Sequence, residues 1–269
     1  MLKDDGKDVI LYGFDESEDK TINQADRLQE ALYASPIIIA PLPFTNDQHQ
    51  LNTPHYSNSI EIEDIFKQMK KDHILLGGHI ANEWIDLAQK YEINIIDYFD
   101  REELQVLNAI PTAEGVIQLA MEQMDTTIHS SNVMVLGFGR IGKTLANMLA
   151  GIGANVYVEA RNYADIAWIT SYGYEPVLLQ DLEANLPEMN LIVNTIPTMI
   201  LDRSKLAKVN KNTFIIDIAS NPGGVDFDEA KKLGIKTRWA LGLPGKVAPV
   251  TAASCIKKTI YNITNDLEV

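Results

Sequence analysis

Cysteine is nearly absent from this chain: Cys255 is the only one among 269 residues. A lone thiol excludes an internal disulfide and any multi-cysteine metal site, and no metal is expected. Cys255 sits in an Ala- and Val-rich run and reads as a buried structural thiol. Only Lys257 and Lys258 hint at the cationic surroundings a catalytic thiolate needs. Long apolar runs are missing too: none approaches the ~20 residues of a bilayer span. The start, Met1-Leu2-Lys3-Asp4-Asp5, is acidic where a secretory signal needs a basic flank and an apolar stretch. A cytoplasmic protein is expected. Positive charge is scarce, with 23 Lys and Arg against 37 Asp and Glu and a net charge of −14. No basic tract offsets it, so neither nucleic acid nor anionic membrane is an expected partner. An anionic substrate would need individually placed cations, which draws notice to single Lys and Arg residues beside glycine turns. There is no internal repeat, low-complexity tract or coiled-coil heptad, and no histidine beyond His129.

What the chain does have is alternation of short β-rich runs with helical patterns, the mark of parallel sheets with crossover helices. In the first part, residues 9–12, 37–40, 73–76 and 93–96 read as strands, with helices over 62–69 and 81–89. Pro41, Pro43 and Pro54 bracket a loop from Leu42 to Ser59, read as a surface excursion in preference to the edge of a cleft. From Ala113 to Met124, Ile117, Ala120, Met121 and Met124 fall on one helix face. Pro111 and Thr112 suit its start, with Thr112 as cap and Glu114 in the first turn. This segment is read as a hinge helix between two lobes. Beyond it, strands are expected at 132–136, 155–158, 191–195, 214–218 and 237–240, then a final helix over 250–264 that crosses back to the first lobe.

Gly137-Phe138-Gly139-Arg140-Ile141-Gly142 is a GxGxxG. Such a triplet is weak alone, but this one follows the apolar strand Val133–Leu136. It opens a helix whose Ile141, Leu145, Met148, Leu149 and Ile152 share a face. Gly137 permits the tight turn, Gly139 lets backbone approach a pyrophosphate, and Gly142 lets helix and strand pack closely. The helix N-terminus then supplies N–H donors. The fold expected is therefore α/β, with two doubly wound parallel-sheet lobes, the second a Rossmann domain for a nicotinamide dinucleotide. The divisions are 1–107 for the first lobe, 108–128 for the hinge helix, 129–248 for the dinucleotide domain and 249–269 for the returning helix. By count, the position that grips the ribose hydroxyls of NAD is Ala160, with Arg161 next. A carboxylate is missing where it would repel a 2′-phosphate, and a guanidinium could clamp one, which favours NADP over NAD. Glu159 lies one residue early, aimed elsewhere by strand alternation. Arg161 could also be a solvated surface residue.

Three loops at carboxyl ends of strands could line the site: Asn194-Thr195-Ile196-Pro197, Ala219–Gly224 and Leu241–Lys246. Lys246 is either a hold for a substrate carboxylate or a solvated lysine. Asp217 reads as an acceptor for the turn that follows it, ahead of a catalytic role. His79, after Gly77-Gly78, is either an acid or base or a hydrogen-bonded turn residue. Arg101 either binds a carboxylate or pairs with Asp100 and Glu102. The absence of a late histidine, and of an arginine at the Asn221-Pro222 turn, argues against the machinery of a D-2-hydroxyacid dehydrogenase.

Taken in order, Asn108–Gly115, Leu136–Arg140, Glu159-Ala160-Arg161, Asn194–Pro197, Asp217–Phe227 and Leu243–Pro249 resemble the dipicolinate synthase A-subunit family, over about residues 9–253. The resemblance implies a cytoplasmic enzyme of the sporulating mother cell, paired with a flavoprotein-like B subunit. It implies oxidation of a dihydrodipicolinate-type ring to the pyridine dicarboxylate with NADP. Arg101, Thr112, Glu114 and Lys246 become candidate substrate contacts, and Lys246 and His79 the catalytic candidates. Gly137, Gly139, Arg140, Ile141, Gly142, Arg161, Thr195, Ile196 and Pro197 become candidate cofactor contacts. A small dicarboxylate and further copies of the chain are the other partners expected. Two departures stand out. Met1–Gly6 reads as the tail of the family's first helix, so its first strand is expected to be missing, and Val250 and Ala253 replace an expected lysine and glycine. The competing readings are another two-lobe dehydrogenase, in the manner of alanine dehydrogenase, and a catalytically silent nucleotide-binding subunit.

Overall fold

The computed structural model describes residues 1–16, 19–45 and 49–268. It divides into two compact units: Met1–Gln105 with the residues from Ala253 onward, and Val106–Ala252. Both divisions fall inside helices, so residues 106–128 belong with the second unit.

In the first unit, β1 (Ile10–Leu11) and β2 (Asn23–Gln24) form a short parallel pair. Then come α1 (Leu28–Ala34), β3 (Ile37–Ile39), α2 (Ile62–Gln68), β4 (Ile74–Gly77), α3 (Asn82–Lys90) and β5 (Asn94–Asp97). Strands β3, β4 and β5 make one parallel sheet in that order. Alternation along β4 serves two cores: Leu75 packs with Ile62, Phe66 and Trp84, and Leu76 packs with Tyr98 and Leu104. Residues 2–6 form successive turns and no regular helix. The excursion expected at 42–59 is exposed or half-buried at every described residue but one, with residues 46–48 outside the described set. Phe44 is fully buried, its N–H donates to Gly78 O at 2.7 Å, and Ile60 also joins the core. Proline spacing marked a loop correctly but could not show that a single aromatic pins it.

The helix α4 (Glu102–Gln123) is longer than the sequence suggested. Pro111 lies inside it, and the hydroxyl read as a cap, Thr112 Oγ1, instead donates to Asn108 O one turn back at 2.7 Å. One proline deletes one backbone hydrogen bond. The buried face running through Leu104, Ala109, Ala113, Val116 and Ala120 outweighs that loss.

The second unit adds β6 (Asn132–Leu136), α5 (Arg140–Ile152), β7 (Asn155–Ala160), α6 (Tyr163–Ser171), β8 (Glu175–Leu178), α7 (Leu182–Asn185) and β9 (Leu191–Asn194). After these come α8 (Arg203–Leu206), β10 (Phe214–Asp217), α9 (Phe227–Leu233), β11 (Lys236–Trp239) and α10 (Leu243–Val247). The sheet is parallel throughout, ordered β8-β7-β6-β9-β10-β11. Its order reverses between β6 and β9, the crevice where open α/β sheets bind ligands. Val133 and Val135 face one helical layer and Met134 and Leu136 the other. On α5, Leu145 and Leu149 are fully buried, each worth about 1.5–3 kcal/mol, and Ile141, Met148 and Ile152 pack beside them. Strand β8 was not legible: Glu175 and Pro176 are exposed and only Val177 is buried, which suits an edge where proline is tolerated. The last helix, α11 (Pro249–Asp266), sends Ile260 and Ile263 into the core of Leu76, Tyr98 and Leu104.

Candidate dinucleotide site

The glycine loop follows from three backbone demands. Gly137 has φ +95, and a Cβ there would sit 2.6 Å from Thr195 Oγ1 and 2.9 Å from Ile196 Cγ1. At Gly142 a Cβ would lie 2.1 Å from Gly137 O, so α5 approaches the loop more closely than any other residue allows. Gly139 differs: nothing lies within 4 Å of its Cβ position. Gly139 also occupies the N-cap of α5 and no side chain caps that end. With that space open, the positive end of a 13-residue helix lies beside the loop and favours an anion there.

Opposite the loop, the β9 end is rigid. Thr195 Oγ1 donates to Leu136 O at 2.8 Å, and Ile196 N–H donates to Asn194 Oδ1 at 3.0 Å, while Pro197 is exposed. Beneath it Asp217, fully buried, accepts from Asn194 Nδ2 (2.9 Å), Ala219 N–H (3.0 Å) and Gly224 N–H (2.7 Å). This clasp ties the β9 loop to the β10 loop and uses up the carboxylate, in keeping with the structural reading of Asp217.

Arg161 is exposed just past β7. It lines a cavity of about 190 Å³ with Leu179, Ile196, Thr198, Met199, Ile200 and Lys205. Lys205 Nζ is 2.8 Å from Asp202 Oδ2. Arg161 and an apolar wall thus share this cavity with Lys205, whose charge Asp202 balances, and sequence reading missed Lys205, which is 44 positions from Arg161 with no motif between them. Glu159 was likewise passed over. It is fully buried, and neither carboxylate oxygen has a hydrogen-bond partner among the described residues. Burial pushes its carboxyl up, against the pull of the Gly137 amide and the Arg161 charge. A carboxyl raised by folding contributes stability below the ordinary glutamate range and loses it as pH rises through the raised value. Glu159→Gln should therefore gain stability over the wild type as pH climbs from 4 to 9, as read by thermal melts across that range.

The remaining candidates lie apart in the chain. His79 is exposed with φ +58; its N–H donates to Asp97 Oδ1 at 2.9 Å and its ring stands edge-on to Phe99 at 6.0 Å. Asp97 also accepts from Ile80 and Phe99 N–H, so this strained turn is well fastened. Arg101 pairs with Glu103 (2.8 Å) and Asp266 (2.9 Å), a correction to the expected Asp100 and Glu102. The carboxylate of Glu103 is within the reach of the Arg101 fork, and Asp266 arrives only because α11 returns to this unit. Lys246 is exposed on α10, not in an open turn, and its Nζ donates to Leu241 O at 2.8 Å. Thr112 is buried and Glu114 exposed on α4. Arg140 and Ile141 open α5, with Arg140 exposed and Ile141 half-buried. Cys255 is half-buried against the Leu76–Tyr98 core. No group of metal-ligating side chains occurs among the described residues, and none of their helices is long and apolar enough to cross a membrane.

The chain is 33% identical to the dipicolinate synthase A subunit of Bacillus subtilis (strain 168) over 270 residues, covering 99% of this chain and 91% of that one. It belongs to the dipicolinate synthase A-subunit family. Residues 1–99 match the N-terminal domain of the dipicolinate synthase A subunit, and residues 112–222 match the NAD-binding domain of D-isomer-specific 2-hydroxyacid dehydrogenases. The crystal structure of the dipicolinate synthase A chain from Bacillus subtilis superposes with a TM-score of 0.91 at 32% identity, over 99% of this chain and 91% of that one. That of the dipicolinate synthase A subunit from Bacillus halodurans gives 0.86 at 32%, over 95% and 89%. L-alanine dehydrogenase shares the fold alone, with a TM-score of 0.65 at 17% identity over 96% and 80%. For a dipicolinate synthase A-subunit chain, the glycine loop is thus that of a nicotinamide-binding, dehydrogenase-type domain.

Proposed function

We propose that this chain oxidises a dihydrodipicolinate-type ring to dipicolinate with NADP, in the mother-cell cytoplasm of a sporulating bacterium. In this reading its partners are further copies of itself and a flavoprotein-like B subunit. The observation that carries the cofactor choice is the cavity in which Arg161 and Lys205 meet beside Leu179, Ile196 and Met199. The open face at Gly139 fits the diphosphate, the apolar wall fits an adenine, and Arg161 fits a 2′-phosphate, with Lys205 and its partner Asp202 at the side of the cavity. When bound, the nicotinamide accepts the hydride that leaves the ring. The ring also loses a proton and becomes aromatic, so the driving force is intrinsic and the protein chiefly positions the reactants. Lys246 is the stronger candidate for a substrate carboxylate. Its ammonium is bound to a neutral carbonyl, whereas Arg101 is already neutralised by Glu103 and Asp266. His79, held in a strained turn, is the candidate acid or base in the first unit.

Two outcomes follow. Arg161→Ala should weaken NADP by about 10- to 100-fold, the worth of charge-assisted hydrogen bonds at roughly 1.5–3 kcal/mol. NAD affinity should change little, and calorimetry with both nucleotides reads the split. Lys246→Ala should raise KM for the dicarboxylate at least about tenfold while the nucleotide still binds. The deciding assay supplies the lysine-pathway condensation product, made enzymatically, with each nucleotide and with or without the B subunit. Dipicolinate formed with reduced NADP supports the proposal. Nucleotide binding without turnover under every condition would make the chain a silent subunit instead.

A further inference from the structure

We propose that Glu159 tunes the dinucleotide site through its protonation, so that nucleotide binds the form of the chain in which this carboxyl is neutral. The inference rests on the nucleotide reading above and deepens it. Glu159 is the second-last residue of β7 and pairs in register with Leu136, the residue before the glycine loop. Its backbone carbonyl accepts the Gly137 N–H at 3.2 Å, so the side chain and the loop share one stretch of sheet edge. Its neighbours across the sheet, Leu136 on β6 and Val177 on β8, are apolar and buried. The charged group acting on it is Arg161, on its own segment. Lys205 lines the cavity with Arg161 but is paired with Asp202.

A buried carboxyl whose oxygens lack a hydrogen-bond partner is pushed toward its neutral form by the cost of desolvating its charge. A diphosphate on the adjoining loop adds negative charge nearby and raises that cost further. Linkage makes the effect reciprocal: nucleotide favours the protonated carboxyl, and ionising the carboxyl weakens nucleotide. An ionised Glu159 would also draw Arg161 toward itself and away from a 2′-phosphate, so NADP should suffer more than NAD. Glu159 thereby becomes a specificity-determining residue that need not touch the ligand.

The test is calorimetric titration of the full chain with NAD and NADP from pH 5 to 9, in two buffers of different ionisation enthalpy. It compares the wild type with Glu159→Gln, and with Glu159→Leu as a second variant that suits the apolar surroundings. NAD gives the clean reading, because its diphosphate keeps one charge state over this range, whereas the 2′-phosphate of NADP titrates with a pKa of about 6. The expected result is proton uptake on binding to the wild type. Its affinity should fall with pH toward a limit of about tenfold per unit, the slope of a single linked proton. Both variants should lose that slope and that uptake. Equal slopes and equal uptake in wild type and variants would overturn the proposal while leaving the nucleotide site standing. Failure of either nucleotide to bind any of the three forms at any pH would remove the site itself, and this inference with it.

Discussion

Gly139→Ala should deprive the protein of its nucleotide and leave its fold nearly untouched. The position is at the N-cap of α5, with no atom within 4 Å of the added methyl and with extended backbone that alanine adopts freely. Exchanging glycine for alanine at an N-cap costs at most about 1 kcal/mol. The methyl would enter the open space beside the loop, where in this reading the diphosphate approaches the backbone. Affinity for either nucleotide should fall by at least about tenfold, since losing one charge-assisted hydrogen bond is worth roughly 1.5–3 kcal/mol. Thermal melts and calorimetry on one sample check both halves. Unchanged binding would mean that the loop does not hold the diphosphate. Gly142→Ala is the informative contrast, because its Cβ would collide with Gly137 O, so that stability and binding should fail together.

Asp217→Leu should be the most destabilising single change in the second unit. It strands two buried backbone donors, the N–H groups of Ala219 and Gly224, and leaves Asn194 Nδ2 only its second acceptor, Ile196 O at 2.9 Å. Each orphaned group costs about 1–3 kcal/mol, so a loss of about 3–5 kcal/mol is expected. For a chain of this size that is a fall in Tm of roughly 10 °C. Asn194→Leu added to it should cost less than the sum of the two single changes, because each single change already breaks the bond between Asn194 Nδ2 and Asp217. If Asp217→Leu melts with the wild type, the clasp between the β9 and β10 loops is not what holds them.

The same residues show how far a linear reading reaches. The face of α5 was legible because Ile141, Leu145, Met148, Leu149 and Ile152 recur at helical spacing, and all five pack as that spacing requires. The glycine triplet was legible because each glycine answers a local backbone demand, and Gly137 and Gly142 show the clashes that enforce it. Strand β8 escaped because an edge strand buries one residue in four and carries a proline. The start of α4 was misplaced because proline is a strong local stop, overcome here by a buried face that only the packed unit supplies. The one buried residue of the loop at 42–59 was missed for a similar reason: the anchoring of Phe44 depends on Gly78, 34 positions away.

At the site the division is sharper. The place of Arg161, just past β7, could be reached by counting from the glycines along one helix and one strand, a distance that regular structure fixes. Lys205 could not be counted to, since it reaches the same cavity through β8 and β9 and the loop beyond them. Nor could alternation tell that the Glu159 carboxyl would be sealed with no hydrogen-bond partner among the described residues. The sequence by itself determined the α/β class, the nucleotide loop and the family, because those rest on short-range periodicity, glycine stereochemistry and ordered strings of residues. Only the tertiary structure decided which cation joins Arg161, which acids neutralise Arg101, and where a carboxyl is buried unpaired. Charge and desolvation act through space, and distance in space is not written in the spacing of the chain.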